Sequence, residues 1–296
     1  MRIASATSLA LGLCAALAAP ATSAPSDPSI PDFAGLWRHQ SLPGFEPLAS
    51  GPTSVTNRSR RNGVSNYDEL VGDYTNPILK PEAAETVKRH GEISKSGVTY
   101  GNPANQCWPE PLPFIYKNFA MQLLQQADKI TIIYDGDHEV RRVRMNETHP
   151  TKVTPSWFGD SVGRYEGDTL VIDTVGQRTD RPFAMIDLYG TPYTEKLHVV
   201  ERYRLIDYEA AKEALARDAK ENFLVAGDID PNYRGKFLQV QFTVEDEGVF
   251  TMPWIATITY RPDFVGVWPE VVCAENTHEY YYNKESDVPT ADKPDF

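Results

Sequence analysis

The sequence lacks an apolar segment long enough to cross a membrane, and this absence limits where the protein can reside. The apolar run near the start, residues 9–19, is too short to span a bilayer. Arg2 precedes this run and small residues follow it before Pro25, which is typical of a secretory signal peptide. We therefore predict that residues 1–24 are removed and that the protein is periplasmic or secreted, with no membrane span.

Cysteine is scarce, since the chain has three in 296 residues. Cys14 lies within the predicted signal peptide, so the mature protein keeps Cys107 and Cys273. In an oxidising compartment an isolated pair of cysteines most simply forms a disulfide. The alternative is a pair of buried free thiols. We predict a Cys107–Cys273 disulfide that joins the middle of the chain to its C-terminal part.

Basic residues are in deficit. The chain has 29 Lys and Arg against 41 Asp and Glu, for a net charge of −12. Such a charge disfavours binding to nucleic acid and to anionic membrane surfaces. It does not disfavour a neutral or aromatic ligand. The 15 Tyr, 12 Phe and 5 Trp residues could line a pocket for such a ligand or fill a core.

Motifs for metals, cofactors and nucleophiles are also missing. The six histidines show no paired spacing on one element, so a metal site would require distant residues such as His149, His198 and His278 to converge. The calcium-like start at Asp228 has Tyr233 where such a loop needs glycine. The G-x-S-x-G match at residues 159–163 leads into a hairpin rather than a helix. We predict neither a metal nor a cofactor.

Short strands separated by turns dominate the chain from about residue 120 onward. Alternating or β-branched segments lie at residues 129–134, 139–145, 169–175, 197–205, 237–244 and 254–260. We predict a mainly β single domain over residues 25–296, folded as an antiparallel calycin- or lipocalin-like barrel or a strongly curved sheet. Residues 25–110 are expected to form a covering segment with a short helix at 80–91, and residues 208–236 a helical insertion.

Several motifs resemble a family of secreted bacterial hypothetical proteins with a calycin-like β-fold. They are GDTLVIDT at residues 167–174, LHVVERY at 197–203, and TVED with TMPW at 243–246 and 251–254. Gly35-Leu36-Trp37 also resembles the opening of lipocalin-type barrels. The resemblance covers residues 105–275 and implies a barrel fold and a secreted compartment, but no defined activity. The helix at 208–223 departs from the compact family pattern.

Glu201 interrupts an otherwise apolar strand face. At a period of two it shares that face with Leu197, Val199, Tyr203 and Leu205. Burying a bare carboxylate is costly, so Glu201 must be paired, protonated or facing a cavity. If it faces a cavity, we predict that it is a catalytic acid or base. The alternative is a structural salt bridge with Arg142 or Arg144, which would hold the barrel wall together.

Further site residues follow from the same hypothesis. His149 and Tyr189 are the predicted catalytic partners of Glu201. The long connection at residues 177–196 is predicted to be a lid or binding loop. Residues predicted to bind substrate are Arg142, Arg144, Trp157, Asp173, Asp187, His198 and Trp254.

These features predict a secreted barrel that binds a small apolar or aromatic molecule. We expect cofactor-independent acid–base activity of lyase, isomerase or hydrolase type. One alternative is a non-catalytic carrier of lipocalin type. Another is a structural envelope protein, whose barrel would be filled with side chains. A cavity with Glu201 and a histidine within hydrogen-bond reach would favour the enzyme. A cavity lined by apolar groups, with Glu201 locked to an arginine outside it, would favour the carrier.

Overall fold

The computed structural model describes most of the chain. The described residues are 30–39, 44–47, 51–61, 64–98, 100–117, 120–181, 183–221, 232–263 and 271–273. Within them, none of the helices combines the length and the apolar character that a membrane span needs. The predicted signal peptide, the calcium-like start at Asp228 and His278 lie outside the described residues.

A closed β-barrel forms the body of the protein. Nine strands pair in a ring in the order β1-β3-β4-β5-β6-β7-β8-β9-β10, and β10 pairs back with β1. The short β2 adds to the other edge of β10. The strands are β1 Gly35–Arg38, β2 Glu46–Pro47, β3 Ala120–Gln125, β4 Lys129–Tyr134, β5 Val140–Met145, β6 Asp160–Glu166, β7 Thr169–Val175, β8 His198–Ile206, β9 Phe237–Glu245 and β10 Trp254–Pro262. The predicted barrel is therefore confirmed.

The β6–β7 hairpin follows directly from the local sequence. Glu166 pairs with Thr169 across a two-residue turn. Gly167 in this turn has φ +62, a left-handed conformation that glycine adopts without steric cost. The register set by this turn places Leu170 and Ile172 inside the barrel and Asp173 on its outer face.

One strand pair differs from the antiparallel expectation. Strands β5 and β6 run parallel, with Arg144 opposite Val162 and Met145 opposite Gly163. Parallel neighbours need a long crossover, which the segment at residues 146–159 supplies without a helix. Hairpin signals report only on strands joined by tight turns, so the sequence pattern did not reveal this pair.

Two α-helices lie outside the barrel in the described part of the chain. Helix α1 spans Pro81–Lys95 and begins with proline, which suits the first helical turn. It continues beyond Gly91, the residue expected to end it; an added Cβ at this position would lie 3.0 Å from Val71 Cγ1. Helix α2, Tyr208–Glu221, joins β8 to β9 as predicted.

The interior of the barrel is filled by side chains. Leu123, Ile132, Ile172, Tyr203 and Phe242, which come from five different strands, are each 0% exposed. A side chain with no exposed surface touches neither solvent nor an internal space of water size. The barrel interior therefore offers these residues no ligand cavity of the lipocalin kind.

Trp254 belongs to this core rather than to an open pocket. It is 1% exposed and its ring packs edge-on against Phe242 and Phe250, at centroid distances of 6.0 and 5.9 Å. Phe45 stacks on it at 5.9 Å. The predicted substrate-binding role of Trp254 is not supported by this position.

The predicted disulfide is present between Cys107 and Cys273, whose Cα atoms are 5.4 Å apart. The backbone N–H of Cys273 donates to Asp137 Oδ1 at 2.7 Å. The bridge thus attaches the chain after β10 to the segment before β3, and the hydrogen bond attaches it to the turn between β4 and β5. It closes a long loop, since the two cysteines are 166 residues apart in sequence.

Candidate functional site

Glu201 is buried inside the barrel and bound by an arginine. Arg141 Nη1 donates to Glu201 Oε1 at 2.8 Å, and Nη2 donates to Oε2 at 2.5 Å. Tyr203 Oη also donates to Glu201 Oε1 at 2.8 Å, and Tyr116 Oη donates to the same oxygen. Both side chains of the Arg141–Glu201 pair are 0% exposed. Glu201 therefore has the environment expected of a structural ion pair.

The partner of Glu201 differs from the two arginines named from the sequence. Strand β5 carries arginines on both faces, and the face shared by Arg141, Val143 and Met145 turns inward. Arg142 and Arg144 lie on the outer face, where Arg142 is exposed. Because the apolar residues of the strand must be buried, Arg141 enters the core with them.

The guanidinium of Arg141 has two further acceptors besides Glu201. Its Nε donates to Ser161 Oγ at 3.2 Å, and Nη2 donates to Thr174 Oγ1 at 2.7 Å. Burial alone would lower the pKa of Arg141, but the charge and hydrogen bonds of Glu201 raise it well above its ordinary value. Burial also raises the pKa of Tyr116 and Tyr203, with a further contribution from the Glu201 charge. Arg141 therefore stays charged, and the phenols of Tyr116 and Tyr203 stay neutral.

A second polar group, on the outer wall of the barrel, brings several predicted site residues together. His149 Nε2 and His198 Nε2 both contact Asp173 Oδ1, at 3.2 and 2.9 Å. His149 Nδ1 contacts Asp160 Oδ2 at 2.6 Å. His198 Nδ1 lies 3.5 Å from Glu245 Oε2. We call these five residues the outer-wall cluster.

Strand alternation explains how the outer-wall cluster forms. Asp160 begins β6, Asp173 lies near the end of β7, His198 begins β8 and Glu245 ends β9, so all four lie at the same end of neighbouring strands. His149 comes from the crossover between β5 and β6. Arg144 extends the array, because its Nη1 donates to Asp160 Oδ1 at 2.5 Å.

The outer-wall cluster has contact with solvent. The side chains of Asp160, His149, Asp173 and His198 are between 17% and 33% exposed. The hydrogen bond from His198 and, to a lesser degree, that from His149 lower the pKa of Asp173. The hydrogen bond to Asp173 is the main cause that raises the pKa of His198 above 6.5. A bond from Arg144 lowers the pKa of Asp160.

These pKa shifts predict a pH-dependent contribution of His198 to stability. Because the pKa of His198 is raised on folding, its stabilising effect is complete below the unfolded value of 6.5 and is lost as pH rises through the folded value. Urea unfolding of wild type and His198→Gln should differ by at most about 1 kcal/mol near pH 5.5, since the site is partly solvated. The difference should shrink at alkaline pH.

His138 provides the matched control for this measurement, since it is an exposed histidine in the turn before β5. His138→Gln should show no such pH dependence. A difference between wild type and His198→Gln that grows towards alkaline pH would contradict the assignment.

The predicted lid residues have structural contacts instead. Asp187 Oδ1 accepts the backbone N–H groups of Tyr189 and Thr191 at 2.9 and 3.1 Å, which shapes the turn in the 177–196 connection. Burial raises the pKa of Asp187 to about 6. Tyr189 is 1% exposed and packs against Gly72, where an added Cβ would lie 2.7 Å from Tyr189 Cβ. Neither residue faces solvent.

Trp157 lies in the β5–β6 crossover with His149 and is partly exposed. The guanidinium groups of Arg178 and Arg181 lie 4.9 and 5.5 Å from its ring centroid. The Trp108 ring is 6.1 Å away. Trp157 therefore lies on the same chain segment as His149 of the outer-wall cluster.

Two residues of the outer-wall cluster were not predicted from the sequence. Asp160 and Glu245 complete the outer-wall cluster but belong to turn-rich or polar segments with no apolar pattern to interrupt. The one available signal was their position at strand ends. Among the described residues, no group of three or more His, Cys, Asp and Glu side chains is arranged to hold a metal ion.

Comparisons with known proteins identified no similar protein. No protein-family model, curated protein or solved structure matches this chain. The resemblance to secreted calycin-like proteins therefore stays a prediction, and the site must be judged from its own geometry.

Proposed function

We propose that this protein is a cofactor-independent acid–base catalyst whose site is the outer-wall cluster. The observation that carries the proposal is the convergence of two histidine Nε2 atoms on one oxygen of Asp173, in a place that solvent reaches. Carboxylates orient imidazole rings and stabilise their protonated form, as general acid–base catalysis requires. The buried Glu201 takes no part in the chemistry of this proposal.

His198 is the proposed proton-transfer residue. Asp173 holds its Nε2, while its Nδ1 faces Glu245 across 3.5 Å, which is longer than a well-formed N–H···O hydrogen bond. Glu245 is half exposed and so is easily displaced. A substrate that replaces Glu245 would meet Nδ1, which takes up a proton as base or returns it as acid.

His149 and Arg144 serve to position the cluster. His149 bridges Asp160 and Asp173, and Arg144 holds Asp160 from the other side. These contacts keep Asp173 ionised and fixed in place. The Arg144 charge is compensated by Asp160, so the site does not demand a charged substrate.

The proposed reaction class is lyase, isomerase or hydrolase, on a small apolar or aromatic molecule outside the cytoplasm. The disulfide is consistent with an oxidising compartment. A partly exposed Trp157 on the same crossover as His149 supplies an aromatic surface near the site in sequence. No cofactor enters this proposal.

A structural envelope protein is the second candidate. The filled barrel favours it, because a packed interior gives mechanical stability and no internal cargo space. In that case the outer-wall cluster is a surface ion-pair network that ties neighbouring strands together. The two candidates differ in whether His198 changes a reaction rate.

Turnover of p-nitrophenyl acetate tests the proposal. Wild type should hydrolyse the ester with a kcat/KM that rises through the His198 pKa. His198→Gln should lower kcat/KM by about 100-fold, the usual contribution of one acid–base group. His149→Gln should lower it less and displace the pH profile. His138→Gln, the exposed control, should leave the rate unchanged.

The competing outcomes are distinct. If wild type hydrolyses the ester no faster than His198→Gln across the pH range, acid–base catalysis is rejected and the structural candidate is favoured. If His138→Gln loses as much activity as His198→Gln, the rate reflects unspecific surface imidazoles. Far-UV circular dichroism of each variant ensures that equal amounts of folded protein are compared.

A further inference from the structure

A hollow of about 220 Å³ lies outside the barrel, between helix α1 and the 177–196 connection. It shares no residue with the outer-wall cluster. Its walls come from the segment before α1, from α1 itself, from the chain after α1 and from the 177–196 connection. The lining includes Asp68, Leu70, His90, Val98, Tyr100 and Leu188.

The walls suit a single aromatic ring. Leu70, Leu188 and Val98 supply aliphatic surface, and Val98 is 45% exposed. Tyr100 places its ring 4.3 Å from that of His90. The volume is smaller than that of pockets for drug-sized ligands, so it fits one ring with a short substituent.

The charge of the hollow has one sign. Among the residues that the structure describes, Asp68 is the one carboxylate in the lining, and its side chain has no ion pair. The described lining contains no lysine or arginine. His90 does not supply a positive charge either, because burial lowers its pKa to about 4, an effect that the Leu70 backbone offsets only in part.

We propose that this hollow binds a small aromatic amine, with the ring between Tyr100 and Leu188 and the ammonium group at Asp68. An ammonium group pairs with the carboxylate and is also attracted to the faces of tyrosine rings. An aromatic carboxylate would meet Asp68 with no compensating cation, so the site discriminates against it. The proposal is independent of the outer-wall chemistry.

Three matched probes test the ligand class: benzylamine, benzyl alcohol and benzoate. They share one ring size and differ in charge at neutral pH. Isothermal titration calorimetry should show benzylamine binding about twofold to fivefold more tightly than benzyl alcohol, as expected of a partly exposed charge pair. Benzoate should show no measurable binding at millimolar concentration.

Variants locate the binding. Asp68→Asn should reduce benzylamine affinity to that of benzyl alcohol, whereas Glu82→Gln, an exposed carboxylate on α1, should have no effect. Leu188→Trp should fill the hollow and abolish binding of both probes. Val98→Arg changes an exposed position, leaves the fold intact, and should weaken benzylamine while permitting benzoate.

Several results would overturn the proposal. Equal affinity for benzylamine and benzoate would reject the charge preference. Unchanged benzylamine binding in Asp68→Asn and Val98→Arg would show that the amine is held elsewhere on this acidic protein. If no probe binds wild type, the hollow is not a site for single-ring aromatics.

Discussion

Replacing Glu201 by glutamine should lower the free energy of unfolding by about 3–5 kcal/mol, the cost of leaving one member of a buried ion pair without its partner. Arg141 and Glu201 are both 0% exposed, so water cannot replace the lost carboxylate oxygen. The hydroxyl groups of Tyr116 and Tyr203 would also lose an ionised acceptor. Urea unfolding followed by tryptophan fluorescence measures this change.

A double variant separates the loss of the pair from the loss of one charge. Replacing both residues by apolar ones of similar size, Arg141→Met with Glu201→Leu, should recover most of the stability, because neither charge is then left buried. Glu166→Gln is the exposed control. Its carboxylate pairs with Arg202 at 2.8 Å on the surface, so its loss should change the free energy of unfolding far less than the loss of the buried Glu201 carboxylate.

The Glu201→Gln variant also distinguishes an effect on stability from an effect on catalysis. Glu201→Gln should keep the ester turnover of each folded molecule, since the proposed reaction occurs at His198 on the opposite face of β8. A stability loss below about 1 kcal/mol would contradict the buried-pair assignment. A loss of turnover in fully folded Glu201→Gln would instead support the catalytic role first predicted for Glu201.

Removing the disulfide should have the second large effect on stability. Loop-closure entropy for the 166-residue separation of Cys107 and Cys273 amounts to about 5 kcal/mol, and measured losses commonly lie at about 2–5 kcal/mol. The Cys107→Ser, Cys273→Ser double variant should therefore unfold at a much lower urea concentration than oxidised wild type. Without the bridge, the backbone N–H of residue 273 would no longer be held in place to donate its hydrogen bond to Asp137.

Reductant provides the control for this experiment. Dithiothreitol should bring wild type close to the double variant and leave the variant itself unchanged. A difference below about 1 kcal/mol between oxidised wild type and the variant would mean that the bridge closes no entropically costly loop. Such a result would indicate that the unfolded chain already holds these segments together.

The strands were predictable because their side chains alternate. Strand β9, for example, places Leu238, Val240 and Phe242 inward at a period of two, which the sequence displays directly. The two-residue turn at Gly167 defines its hairpin from local residues alone. Helix α1 was recognisable from Pro81, but its end was not, since the helix continues beyond Gly91.

The site was only partly predictable. His149, Asp173 and His198 were each named, but His149 as the catalytic partner of Glu201 and the other two as substrate-binding residues. Alternation along β8 already placed His198 on the face opposite Glu201. The residues therefore divide between two sides of one wall, with Glu201 in the core and the other three outside.

The sequence by itself determined the β-rich class, the strand faces, the hairpin at Gly167 and the pairing of Cys107 with Cys273. These depend on local geometry or on the count of one residue type. The tertiary structure alone decided that β5 lies parallel to β6, that Arg141 rather than Arg142 or Arg144 binds Glu201, and that two histidines meet at Asp173. The reason is that strand neighbours across a long crossover are set by barrel closure, which no local pattern records.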